Sequence, residues 1–268
     1  MRRLWHGALW HGPLWHGAPR ALILAVAIAS LLLPDAGSVL PLAHAVPLAG
    51  KDRQRIPAVR WDEQNPGCTF SRSADGHYIY GLWYEDVGIT MTVDSQELEK
   101  VRRRPERFFA VLLDVRYRGQ GQGSLNLSVE NISLQFMKHF KVVQTALDPD
   151  EFAEKVQSDA DERDHQVARE VGKHPEKKEE KDAYVRALLK DSAELQEFVG
   201  KNSLRPTLLG PGNPEKSGWV LFSIESKWIS GWKKQEEFVL RVPLDGKVFE
   251  FPFKLPPKPG EVLLRKRE

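Results

Sequence analysis

FFAVLLDVRYRG, residues 108–119, carries the strongest strand signal in the chain. Phe109, Val111, Leu113, Val115 and Tyr117 recur at period two and define one face. The other face begins apolar, at Phe108, Ala110 and Leu112, and ends charged, at Asp114 and Arg116. A strand that is apolar on both faces at one end and half-solvated at the other belongs in the middle of an antiparallel sheet whose second face is partly covered. What covers that face must be sought elsewhere in the sequence.

Partners for this strand lie on both sides of it. CTFSRS, the turn Ala74-Asp75-Gly76 and HYIYGLWYE form a predicted hairpin, since Asp-Gly between two β-rich runs favours a tight turn with positive φ. GITMTV follows as a further strand, and Asp94 with Glu97 reads as a capping box opening a short helical turn. Arg102, Arg103 and Arg104, closed by Pro105, read as a solvated basic loop. Beyond the central strand, SLNLSV and ISLQFM alternate, WVLFSI places Val220, Phe222 and Ile224 on one face, and EEFVLRV and KVFEFPFKL flank a second Asp-Gly turn at Asp245 and Gly246. Pro252 lacks a ladder donor, which puts the last strand at a sheet edge. LRPTLLGPGNPEKSG reads as a Pro/Gly-rich connection.

One region breaks the β pattern. Asp148-Pro149 is a cap followed by a first-turn proline, and the helical reading runs from there to about residue 202 with a break at Gly172 and Pro175. In the first helix residues 157–166 offer almost no apolar surface and are predicted to project into solvent. The second helix carries Tyr184, Leu188, Leu195 and Val199 at three- and four-residue steps, an apolar face that has to pack on something. The two form a predicted helical hairpin inserted between strands.

At the N-terminus, Arg2 and Arg3, the apolar run 21–33 and the word Ala43-His44-Ala45 are the three parts of a secretory signal peptide, with cleavage expected after Ala45. An uncleaved anchor helix is the alternative. The threefold LWHG word of residues 4–17 precedes the apolar run and is assigned no function. Residues 46–66 read as an extended arm on which Trp61 docks, and residues 256–268 as a Pro-rich, basic tail.

The organisation expected is therefore a signal peptide (1–45), an arm (46–66), one β domain (67–255) with the helical hairpin at about 148–202, and the tail. The fold class is mainly β, an antiparallel sandwich. Its strand order, with the long central strand, the interruption, the Pro/Gly turn into WVLFSI and the closing hairpin, resembles the immunoglobulin-like domains of unknown function found in exported bacterial proteins. The resemblance spans about residues 67–255, lacks the Cys-Trp-Cys core triad, and implies no activity.

Composition narrows the function. Lys and Arg number 39 against 37 Asp and Glu, a net charge of +2 that argues against a nucleic-acid partner. Cys68 is the only cysteine, which excludes an intramolecular disulfide and a cysteine-rich zinc site, and a buried free thiol is expected. No G-x-S-x-G, H-E-x-x-H, phosphate-cradling or EF-hand motif is present. Asp161 and His165 stand one turn apart but read as an exposed acidic face, and His77 and His139 lie in strand contexts without a partner. The expectation is a non-catalytic binding or structural protein of the bacterial envelope, periplasmic or secreted, with no cofactor and no metal.

Two surfaces are candidates. Lys227, Trp228, Trp232, Lys233 and Lys234 could stack on sugar rings, sit at a membrane interface or grip an anionic polymer of the envelope, or the tryptophans could cap the core. Tyr184, Leu188, Leu195 and Val199 could dock a partner envelope protein. A metal-binding protein or metal-dependent enzyme is the third reading, and it requires histidines and carboxylates to converge.

Overall fold

The computed structural model of the chain describes residues 56–119, 124–138, 141–224 and 235–256. In chain order the strands and helices are β1 (Ala58–Arg60), β2 (Cys68–Arg72), β3 (His77–Tyr84), β4 (Val87–Asp94), α1 (Glu97–Arg103), β5 (Phe108–Tyr117), β6 (Leu125–Leu127), β7 (Ser133–Phe136) and β8 (Val143–Thr145). Then come α2 (Pro149–Lys173), α3 (Lys178–Asn202), β9 (Thr207–Leu209), β10 (Glu215–Ser223), β11 (Glu236–Leu244) and β12 (Lys247–Leu255). The fold is mainly β, with three α-helices among the described residues.

One sheet has the order β10-β5-β4-β3-β2, antiparallel throughout. A second has the order β1-β12-β11-β7-β8, antiparallel except for the parallel pairing of β1 with β12. β6 and β9 make a separate two-stranded ribbon. The inward side chains of both five-stranded sheets meet in one core, where the Phe109 ring lies 5.3 Å from Phe238 and 6.3 Å from Phe253. Phe109, Phe136, Phe222, Phe238, Phe249 and Phe251 are fully buried there. Each contributes roughly 1.5–3 kcal/mol by leaving water.

The central strand behaves as its pattern requires. β5 is flanked by β10 and β4, and Phe109, Val111, Leu113 and Val115 face the core. Phe108 and Ala110, on its other face, meet Phe152 and Val156 of α2, Val199 of α3 and Leu221 of β10 in a second, smaller core. The helices are thus the cover that the apolar end of β5 called for. Both Asp-Gly turns form: Gly76 has φ 84°, while Asp245 and Gly246 have φ 52° and 66°, the two left-handed residues of a type I′ hairpin. The Asp148 carboxylate accepts hydrogen bonds from the Asp150 and Glu151 amides and so caps α2, with Pro149 in the first turn.

Several expectations are corrected. The 46–66 arm is partly a strand, because β1 pairs with β12; Trp61 docks as expected, buried in the core with its Nε1–H donated to Thr69 O at 3.0 Å. β12 is therefore the second strand of its sheet and not its edge. Its Val248 N–H donates to Pro57 O and its Glu250 O accepts from Trp61 N–H, so even-numbered residues present their backbone groups to β1. Pro252 is the next even-numbered residue, and the β1 pairing stops before it because the donor it would need does not exist. The 204–218 connection contains β9 and the first four residues of β10. Asp94 and Glu97 do not form a capping box: Asp94 accepts from Gln96 N–H, and Glu97 turns inward. Arg102 and Arg103 end α1, and Arg104 is held by Glu97. In α2, by contrast, residues 157–166 are exposed as expected, apart from buried Ala160 and half-buried Gln166.

The helical segment is fastened at both ends to the outer edge of β10. Before α2, Leu147 N–H donates to Leu221 O at 2.8 Å, and after α3, Leu204 N–H donates to Trp219 O at 2.8 Å. The second contact needs Gly218, where an added Cβ would stand 2.5 Å from Leu204 N and 2.6 Å from Leu204 Cα. Gly218→Ala is expected to cost about 1–3 kcal/mol in denaturant unfolding, because backbone rather than a yielding side chain must move. Gly200→Ala, where nothing lies within 4 Å, should instead stabilise by about 0.5–1 kcal/mol. Equal and small effects at the two positions would contradict the close approach.

Candidate functional site

The second core occupies only the root of the helical pair. Beyond it α2 and α3 run on against one another, through buried Ala160, Val167 and Val185 and the Lys181–Glu170 ion pair at 2.7 Å. Between the two helices and the turn from α1 to β5, the structure leaves an open groove of about 700 Å³. Its apolar lining is Tyr184, Leu188 and Leu195 over a floor of Phe108, Val156 and Ala160, which are themselves buried. Glu106, Asp159, Glu162 and Asp191 supply carboxylates around it, and Arg104 and Arg163 supply cations.

One wall is held rigidly. Glu97, 2% exposed, accepts the Ala110 N–H at 2.8 Å and pairs with Arg104 Nη1 at 2.6 Å. Arg104 also donates to Phe108 O at 2.7 Å and lays its guanidinium 4.2 Å from the centre of the Phe108 ring. These contacts tie the end of α1 to the first residues of β5 and consume the charge of Arg104. Burial pushes the Glu97 carboxyl above its ordinary value, and the Arg104 pair and the Ala110 amide offset that only in part. On the rim, Lys155 bridges Glu106 at 3.2 Å and Asp159, one ammonium serving two carboxylates. Glu162 accepts only from the Gln166 amide among the described contacts, which leaves its charge in place. The rim is net negative.

A second depression of about 420 Å³ lies where the β1 pairing ends, lined by Trp61, Phe70, Tyr80, Phe238 and Phe253 with Arg60, Glu63, Glu237 and Lys254 around them. Its aromatic rings pack mainly on each other, with Phe238 and Phe253 stacked at 5.1 Å. Its floor is core surface seen from outside.

The helical candidate residues separate into two roles. Tyr184 is 48% exposed, and with half-buried Leu188 and Leu195 it lines the groove, whereas Val199 is fully buried in the second core. Lys227, Trp228, Trp232, Lys233 and Lys234 lie outside the described residues, as does His139. His77 Nε2 stands 3.8 Å from Asp94, and His165 is exposed on α2. No group of three or more His, Cys, Asp or Glu placed to hold a metal occurs among the described residues. Cys68 is buried and unbridged. The sequence pattern missed the contributions of Phe108, Val156 and Ala160 to the groove; the apolar second face of the central strand was the available signal. No family model, curated protein or solved structure matches this chain.

Glu97→Ala is expected to cost about 1–3 kcal/mol, since it leaves the Ala110 N–H buried without an acceptor, and Glu97→Gln considerably less. The raised carboxyl value fixes the sign of the pH dependence. Its stabilising contribution is complete below the unfolded-state value and is lost as pH rises through the folded-state value. The stability of the native chain relative to Glu97→Gln should therefore be greatest in acid and decline across that window. A relative stability that rises with pH would show that the ion pair outweighs burial.

Proposed function

We propose that this is an exported, non-catalytic binding protein of the bacterial envelope. In this reading its two-sheet body is an immunoglobulin-like sandwich, its helical pair is an insertion into that body, and the pair docks a partner protein. The observation that carries the reading is the open groove at the root of α2 and α3. Half-exposed Tyr184 with half-buried Leu188 and Leu195, over a floor of buried Phe108, makes an apolar depression framed by charge that suits the apolar side chains of a partner. The groove lining contains neither histidine nor cysteine. Export is supported by the basic start, the short apolar run and the Ala43-His44-Ala45 word, and N-terminal sequencing of the mature protein should begin at Val46.

Docking is tested by placing a photo-crosslinking amino acid at Tyr184 or Leu188, and at Lys216 or Lys254 as strand controls, in cells that produce the protein. Discrete adducts from the helical positions and none from the controls are expected. Equal labelling at all four positions, or none at the helical pair, would overturn the docking reading.

A further inference from the structure

We infer that the groove accepts a basic, amphipathic helical segment of its partner, a reading that rests on the docking role above. Three observations select this occupant. The first is the chemistry of the walls. Both long walls are helices, whose backbone groups are bonded internally, so the trough presents side chains and no ladder of free amides and carbonyls. An extended peptide laid there would bring its own N–H and C=O groups against Phe108, Leu188 and Leu195 without partners, whereas a helix arrives with them satisfied.

The second observation is length. The lining runs from Val156 to Gln166 along α2 and from Tyr184 to Leu195 along α3. At 1.5 Å per residue this is a trough of about 15 Å, or roughly three helical turns. A third helix lying in it would seat apolar residues at i, i+3 or i+4, and i+7 between the stations Val156, Ala160, Leu188 and Leu195.

The third is charge. Arg104 is already paired with buried Glu97, and Lys155 is shared by Glu106 and Asp159. Glu162 and Asp191 on opposite walls, together with the uncompensated half of the Glu106/Asp159 pair, outweigh Arg163. The flanks of the incoming helix are therefore cationic. The same carboxylates disfavour an anionic polymer or lipid headgroup at this position.

The test uses two fluorescein-labelled peptides of about 14 residues, with leucine at the i, i+3, i+4 and i+7 stations and either lysine or glutamate at the remaining ones. Fluorescence anisotropy with the mature chain should give binding of the lysine peptide tighter by on the order of tenfold than the glutamate peptide, weakening with added salt. The combined variant Asp159→Lys, Glu162→Lys and Asp191→Lys should reverse the preference. Leu188→Asp should remove binding of both peptides while the circular dichroism spectrum and unfolding midpoint stay close to those of the parent; should it unfold, Tyr184→Ala, at a half-exposed position, supplies the same test. Equal binding of both peptides, a preference for the glutamate peptide, a preference that survives charge reversal, or no binding of either would overturn the basic-helix assignment. If crosslinks from Tyr184 and Leu188 are nevertheless obtained, docking stands with a partner of other chemistry, and if they are absent both readings fall.

Discussion

The outer edge of β10 is the constraint on which the rest of the structure depends. An unpaired strand edge invites pairing with another chain, and here it is closed from within by the two ends of the helical segment. Leu147 and Leu204 donate to carbonyls two residues apart on that edge, so the segment leaves and re-enters the β body at nearly the same place. That return fixes α2 and α3 as an antiparallel pair. It also brings Phe152, Val156 and Val199 over Phe108, Ala110 and Leu221, the part of the sheet that would otherwise expose apolar surface on its second face. Gly218 is the local concession that allows it, because α3 ends against strand backbone with no room for a side chain.

The same geometry explains why a groove exists. The second core is small, and only the root of the helical pair lies over the sheet. The two 25-residue helices continue past it, held by a thin line of Ala160, Val167 and Val185 and by side-chain contacts such as Gln157 with Gln196 and Lys181 with Glu170. At the point of departure the turn from α1 to β5 approaches from the side, pinned by Glu97 and Arg104. The turn packs beside the helical pair without filling the angle between α2 and α3, and a trough is left. The buried carboxylate costs desolvation, but it makes the wall of that trough stiff, and a pre-formed wall lowers the ordering cost of binding.

Much of this was legible in the sequence wherever the signal is local. The two-faced pattern of residues 108–117 gave β5, its position between neighbours, and the need for a partial cover. The two Asp-Gly turns and the Asp148-Pro149 cap work through φ preference and a short-range hydrogen bond, and each appears where it was expected. What failed to show is what arises from pairing at a distance. β1, β8 and β9 are three residues each, too short for a period, and are strands only because another strand lies beside them. Pro252 correctly signalled a lost donor but not that β1 would cover the strand up to it. Glu97 matched a capping pattern, and only the tertiary position of the Ala110 amide explains why it turns inward. The groove was half visible, through Tyr184, Leu188 and Leu195; its other half belongs to residues far away in sequence, and Val199 of the same stripe is spent on the core.

Amide hydrogen exchange tests the anchored, otherwise free-standing helical pair most directly. The account predicts that the Leu147 and Leu204 amides, which close the β10 edge, are protected to the level of the β5–β10 ladder. It predicts that amides of α2 and α3 beyond the second core, around His165 and Ala183, exchange much faster through local opening. Uniform protection along both helices, or rapid exchange at Leu147 and Leu204, would contradict it.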